Sequence, residues 1–206
     1  MRKSKKSLVN TPRPYLSYSQ MILWERDKEQ YRRRYFDGIQ QPTNQYLETG
    51  KKLADRLETG IESGDEFIEY LALFMPKYPA TEFEIQAEWD GISILGRLDG
   101  FSNKGKIIGE YKTGKCWNQN MVDKSDQLTF YSALVWLKYG RLPSKIFLHW
   151  AKTEIDEFGI LRINGEIRTF ETTRTLSDII LLRGRIVKCW TGIKEMSKKY
   201  NYAERI

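Results

Sequence analysis

The spacing of apolar residues changes from helical to alternating near residue 80, and that change constrains the fold more than any other feature of the chain. Before it, Ile22, Leu23, Tyr31 and Tyr35 recur at helical spacing in SYSQMILWERDKEQYRRRYFDG. After it, TEFEIQAEWD alternates, with Phe83, Ile85, Ala87 and Trp89 on one face, as in a half-buried strand. Asp90-Gly91 is a hairpin turn signal. GISILGRLDGF is the next strand, SNKG a turn, and KIIGEYKTG a third strand. Three strands joined by tight turns predict an antiparallel meander.

Helices are expected on both sides of it. Ser17 or Ser19 caps the first, which Gly38 and Pro42 end. A second runs from about Asn44 to Glu58, stopped near Gly60, and a third from Asp65 to Phe74, stopped by Pro76 and Pro79. Beyond the meander, DKSDQLTFYSALVWLKYG reads as a helix capped by Ser125 or Asp123 and closed by Gly140. KIFLHWAKTEI and GEIRTFETT read as strands. A long helix from Thr175 to about Tyr200 carries Ile179, Leu182, Ile186, Trp190 and Ile193 at helical spacing, with Gly184 as a soft spot. The order predicts one α/β domain over 15–206, a mixed central β-sheet flanked by helices. Residues 1–14, basic and carrying Pro12 and Pro14, read as a flexible lead-in. A chain of 206 residues, 40% of them hydrophobic, can bury one substantial core.

No stretch approaches the roughly 20 apolar residues of a membrane span. The basic start is not followed by the apolar run of a secretory signal. Cys116 and Cys189 lie far apart, neither a CxxC pair nor a disulfide framework, and read as free thiols in a reducing compartment. That points to cytoplasm, and to a bacterial host's cytoplasm if a phage encodes the chain. The net charge is +7, and its distribution says more than its sum. Residues 1–34 hold ten Lys/Arg against three Asp/Glu, and the remainder holds 24 of each. A basic arm beside a neutral body suits a phosphate-bearing partner. The plainer account is a basic helix that keeps the chain soluble. Arg32, Arg33 and Arg34 span about 200° of helix, so they cannot all face one groove.

The chemistry concentrates in GRLDGFSNKGKIIGEYKTGK, residues 96–115. With Ser102–Gly105 as the turn, Phe101 pairs near Lys106 and Asp99 near Ile108. Alternation then puts Asp99, Glu110 and Lys112 on one face and Tyr111 on the other. A slip of one residue would break this arrangement. Two adjacent carboxylates repel unless a positive group sits between them. Mg²⁺ or Mn²⁺ suits such a pair, being a hard ion that takes carboxylates, water and phosphate oxygens. Such an ion polarises a phosphate and lowers the pKa of water, with Lys112 beside the developing charge. Gly96, Gly100 and Gly109 flank the carboxylates and allow close backbone approach. A surface ion pair among Asp99, Glu110, Lys112 and Arg97 is the rival explanation.

GRLDG…IGEYKTGK followed by DQLTFYSALV resembles the PD-(D/E)XK nuclease superfamily, in particular its RecB-type branch. There an acidic residue on one strand, ExK on the next and QxxxY on the following helix form the site. This chain offers Asp99, Glu110-Tyr111-Lys112 and Gln127-x-x-x-Tyr131 in that order. SYSQMILWERDKEQYRRRYFDG also looks like the family's N-terminal helix, and the resemblance spans roughly residues 15 to 150. It implies a restriction-endonuclease-like core and metal-dependent hydrolysis of DNA phosphodiesters. The expected enzyme is an exonuclease in DNA recombination, repair or phage DNA metabolism. By the same resemblance Asp99 and Glu110 bind Mg²⁺ or Mn²⁺, with the Tyr111 backbone carbonyl as a further ligand. Lys112 activates water and stabilises the transition state. Gln127 and Tyr131, one helical turn apart, contact DNA or hold the active-site strands.

The chain departs from that pattern in two respects. Many RecB-type nucleases carry Gly-x-x-x-His on an upstream helix, the His being a metal ligand. Here Gly50 is followed four residues on by Ala54. Glu58, one turn further, is the candidate substitute, with Asp55 a weaker one. Two cysteines also cannot make the iron–sulfur site of some members. His149 lies in the apolar IFLHW and is expected to be packed rather than ligating. Lys115 and Trp117 follow the ExK strand, where a cation and an aromatic could hold a phosphate and stack a base. Single- or double-stranded DNA is the expected partner, and a homo-oligomer or a recombination partner protein would supply processivity. The alternative is a non-catalytic nucleic-acid-binding protein on the same fold.

Overall fold

A computed structural model describes residues 11–40, 42–114 and 116–200. The chain runs through α1 (Tyr18–Arg26), α2 (Lys28–Tyr35), α3 (Gln45–Thr59), α4 (Glu66–Phe74), β1 (Ala80–Trp89), β2 (Ile92–Ser102) and β3 (Ile107–Gly114). It continues with α5 (Gln119–Asp123), α6 (Asp126–Tyr139), β4 (Lys145–Ile155), β5 (Leu161–Thr172) and α7 (Leu176–Lys199). The strands form one sheet in the order β1-β2-β3-β4-β5. The β1/β2, β2/β3 and β4/β5 pairs are antiparallel, and β3/β4 is parallel. The mixed sheet flanked by helices, with a long C-terminal helix, is the architecture expected from the sequence.

The caps follow the local chemistry. Ser17, Asn44, Ser125 and Thr175 each accept a backbone N–H of the first turn of α1, α3, α6 and α7. Gly60 and Gly140 close α3 and α6 in the left-handed region. The first helix departs from expectation. Asp27 is extended, with its N–H on Leu23 O and its carboxylate accepting from Gln30 N at 2.9 Å. A short acidic side chain here competes with the helix ladder, so one predicted helix becomes two.

The two faces of the sheet carry different layers. On one, α6 crosses from β3 back to β4, and α1 and α7 pack with it. Leu98, Ile108, Phe130, Leu134, Leu148, Trp150, Ile186 and Ile193 belong to the main core there. On the other, α3 and α4 enclose a smaller cluster of Leu53, Leu71, Ala72, Met75 and Ala151, with Tyr111 packed against it. Burial of these side chains is the main stabilising term, at about 25 cal/mol per Å² removed from water.

Pairing lapses at two places, and both adjoin Asp99. The β2/β3 ladder covers Gly100↔Gly109, Phe101↔Ile108 and Ser102↔Ile107. Its turn is Asn103–Lys106, so the register differs by two residues from the predicted one. A shift of two keeps every side chain on its face. Beyond Gly109, β3 leaves β2 and stays paired with β4 as far as Gly114↔Lys152. The β1/β2 ladder runs from Ala80↔Phe101 to Trp89↔Ile92 without a Glu82–Asp99 pair. Glu82 has a φ of +48°, in the left-handed region.

Candidate active site

Asp99 and Glu110 stand where β2 and β3 fork. The Tyr111 amide donates to Asp99 Oδ2 at 2.8 Å, so a carboxylate takes a backbone donor at the fork. Glu110 is 2% exposed, an unusual place for an acid. Two donors converge on its Oε1: the Lys112 ammonium, and Gln127 Nε2 at 2.6 Å. The Gln127 amide also donates to Tyr131 Oη at 2.9 Å, one turn along α6. The other oxygen, Glu110 Oε2, is buried with no hydrogen-bond partner.

Burial pushes the Asp99 carboxyl well above the ordinary carboxylate range, and the Glu110 charge adds to the shift. Lys112 pulls the other way, as does the Tyr111 amide. Burial alone would lower Lys112, but Glu110 and Asp99 outweigh it and raise its pKa. The lysine is therefore a held ammonium. Burial and the Glu110 charge also raise the Tyr131 phenol, which stays protonated.

Behind the fork, Tyr78 lies flat across the two glycines that flank the acids. A Cβ on Gly100 or Gly109 would sit 2.4 Å from its ring. Its hydroxyl lies 2.8 Å from His149 Nε2, and His149 Nδ1 lies 2.8 Å from Thr169 Oγ1. Tyr111 turns to this side, with its ring 5.6 Å from the imidazole. His149 is packed and hydrogen-bonded, as expected of a lone histidine on an apolar strand.

A cleft of about 580 Å³ opens between α3 and the fork. Asp99, Glu110, Tyr111 and Lys112 line it from the strands, and Ala54, Asp55 and Glu58 from α3. Glu82 lines it as well. Glu58 therefore shares the cleft with the paired acids, although its side chain is exposed. Among the described residues, no group of three or more His, Cys, Asp or Glu is gathered tightly enough to hold a metal ion. The donor chemistry still fits a hard divalent cation: two adjacent carboxylates, one orphaned buried oxygen and a backbone carbonyl beside them.

Other candidates fall elsewhere. Lys115 lies outside the described residues. Trp117 is half-buried against the main core, which makes it a packing residue. Arg32 pairs with Glu29 and Asp37, and Arg33 with Glu29. Arg34 lies over the Tyr35 ring. Two of the three arginines on α2 are thus ion-paired with their own neighbours. Cys116 is exposed and Cys189 buried, both free thiols. Among the described residues, no helix is long and apolar enough to cross a membrane. Sequence reasoning missed Glu82, which looked like an outward residue of an alternating strand. Only the backbone irregularity turns it toward notice.

The geometry defines a class of fold: a mixed sheet with an acidic fork beside a crossover helix. No protein-family model matches this chain, and no curated protein matches it. A solved structure of a provisionally named exonuclease from Eubacterium rectale shares the fold, with a TM-score of 0.62 at 14% identity. The likeness covers 96% of this chain and 88% of that one. An alkaline exonuclease from Laribacter hongkongensis aligns more distantly, with a TM-score of 0.48 at 11% identity, over 94% of this chain and 95% of that one.

Proposed function

We propose that this protein is a metal-dependent nuclease that hydrolyses DNA phosphodiester bonds, acting as an exonuclease. The observation that carries the reading is Glu110: a buried carboxylate with Lys112 and Gln127 on Oε1, Asp99 alongside, and Oε2 without a partner. A solvated ion pair would leave no buried oxygen unpaired, because an orphaned acceptor costs about 1–3 kcal/mol. The fold shared with the Eubacterium rectale protein, whose name describes an exonuclease, supports the same class.

Asp99, Glu110 and the Tyr111 carbonyl would hold Mg²⁺ or Mn²⁺, and Glu58 lies within the same cleft. A bound cation supplies Lewis-acid polarisation of the phosphate and eases deprotonation of the attacking water. Lys112 keeps its positive charge beside Glu110, where it stabilises charge that develops on the phosphate. Gln127 fixes the rotamer of Glu110 through Oε1. Tyr131 backs Gln127 from α6, and its protonated phenol adds no negative charge.

A second reading, a DNA-binding protein without turnover, is favoured by two observations. Ala54 offers no donor on the cleft wall, and the acids are not gathered around a common point. End-labelled single- and double-stranded DNA, linear and circular, incubated with Mg²⁺, Mn²⁺ or EDTA, separates the two. Cutting that needs the cation and disappears in folded Asp99→Ala and Lys112→Ala supports the nuclease. Cleavage of linear but not circular substrates supports exonuclease action. Wild type that binds DNA and never cuts would sink the nuclease reading.

A further inference from the structure

On α3, Tyr46, Gly50, Ala54 and Glu58 lie four residues apart and line the cleft opposite the acidic fork. The middle of that wall is nearly flat. Gly50 has no side chain, and a Cβ built there would meet no packed neighbour within 4 Å among the described residues. Ala54 carries only a methyl. Tyr46 closes one end of the wall. Its ring lies beside Gly114, where a Cβ would sit 3.7 Å away. Gly114 ends β3, and its carbonyl accepts Trp150 Nε1 at 3.1 Å, so the floor beside the ring is fixed.

Tyr46 is half-buried, yet among the described residues it belongs to neither hydrophobic cluster, pairs with no other aromatic ring and makes no hydrogen bond through its hydroxyl. Leu53 and Leu57 do the inward packing of α3 instead. An aromatic ring that serves no core and opens on a cleft is a face for a flat ligand. Lys51 lines the same cleft, is exposed and has no ion-pair partner among the described residues. Lys52 beside it is paired with Asp65 at 3.0 Å. Gly114 lies four residues beyond Glu110 on β3, about 13 Å along the strand. A sugar and a base fit between the ring and the acids. The cleft volume, about 580 Å³, falls in the small-ligand range of about 300–1,000 Å³, which suits a nucleotide and not a duplex.

We propose that Tyr46 stacks on an unpaired nucleobase next to the phosphate at the fork, with Lys51 on the backbone. The cleft then takes single-stranded DNA, and a duplex end only after it frays. The inference rests on the reading of this cleft as a DNA site and names the form of substrate it takes. Stacking needs only a π-face, so the ring accepts any base. Lys51 contacts phosphate without reading sequence. Gly50 and Ala54 leave the space in which the base lies.

The test is fluorescence anisotropy with the full chain and two labelled single strands of equal length, one of thymidylate and one of abasic tetrahydrofuran phosphate. A blunt DNA hairpin is the third probe. Ca²⁺, a hard cation of looser geometry, replaces Mg²⁺, and denaturing gels show that the probes stay intact. Wild type is compared with Tyr46→Leu, Tyr46→Phe, Lys51→Gln and Tyr70→Leu, the last an exposed aromatic on α4 outside the cleft. Wild type should bind the thymidylate strand more tightly than either other probe. Tyr46→Leu should weaken that binding about fivefold or more and leave the abasic strand unchanged, which also shows that the variant is folded. Tyr46→Phe and Tyr70→Leu should bind as wild type does. Lys51→Gln should weaken both single strands and flatten the slope of log Kd against log salt by about 0.7. An equal loss on both strands in Tyr46→Leu means that the residue acts through the fold, and the inference falls. It falls too if Tyr46→Leu loses nothing, or if the hairpin binds as tightly as the single strand. If wild type binds no probe, the DNA reading falls with it. If wild type binds as expected but never cuts with Mg²⁺ or Mn²⁺, the stacking site stands and the hydrolytic reading fails alone.

Discussion

Gln127 Nε2 and Glu110 Oε1 are 2.6 Å apart, a hydrogen bond that ties the crossover helix α6 to the strand carrying the acid. The bond orients the carboxylate so that Oε2 is left without a partner. Hydrogen bonds to charged groups contribute about 1.5–3 kcal/mol. Gln127→Ala is therefore expected to lower stability by about that amount and to slow DNA cleavage without abolishing it. Denaturant midpoints and single-turnover rates on one DNA substrate check this. A variant that cuts at the wild-type rate would remove Gln127 from the site's support.

Gly109 has no room for a side chain. Its Cβ would lie 2.4 Å from the Tyr78 ring. Gly109→Ala is expected to destabilise the fold by about 1–3 kcal/mol through overpacking. The cost should shrink in a Tyr78→Ala background, where the obstructing ring is gone. A double-mutant cycle by urea denaturation measures that coupling. Additive costs would mean that the glycine serves some other contact.

His149 carries a pH dependence of defined sign. Burial lowers its pKa to about 4, below the ordinary 6.5. Tyr78 and Thr169 face its two nitrogens, and Tyr111 lies beside the ring. Tyr78 is pushed up to about 12 and Tyr111 is also raised, so neither titrates near neutrality. The unfolded chain takes the proton first as pH falls. The stabilising contribution of the neutral ring is thus complete above about pH 6.5 and declines as pH falls toward 4. Up to about 3 kcal/mol is at stake. Urea midpoints across that window should fall less steeply in His149→Gln than in wild type.

Arg174 is 6% exposed and fully engaged. It donates to Thr129 Oγ1, Thr172 Oγ1, Thr173 O, Val122 O and Ser125 O, at 2.7 to 3.1 Å. Two of these acceptors lie just before α6, so the guanidinium fixes where the helix bearing Gln127 begins. Arg174→Met should cost about 2–4 kcal/mol, because several buried acceptors lose their donor. Arg174→Lys should recover part of this, since an ammonium cannot fork to all five. Equilibrium unfolding of the two variants would show the order.

The site was legible in the sequence where its signal was parity. Alternation put Asp99, Glu110 and Lys112 together although the turn was placed one residue early. An error of two in register leaves faces unchanged, and the hydrogen bonds from Lys112 and Gln127 to Glu110 show that outcome. Glu82 was illegible because its placement depends on a backbone irregularity that the alternating pattern TEFEIQAEWD gives no sign of. The break at Asp27 was illegible for a related reason: an acid that caps looks the same in sequence as an acid on a helix surface. The ion pairs of Arg32 and Arg33 were illegible because Glu29 and Asp37 become their partners only once α2 has formed.

Tyr78 has no part in the proposed chemistry, yet its ring occupies the space of two absent side chains. Positions 78, 100 and 109 are consequently bound into one steric unit in this fold. A lineage that shrinks residue 78 becomes free to fill either glycine, whereas one that keeps the tyrosine must keep both. Substitutions beside the two acids should thus be traced through residue 78, which lies outside the proposed catalytic motif and would pass unnoticed in a search restricted to it.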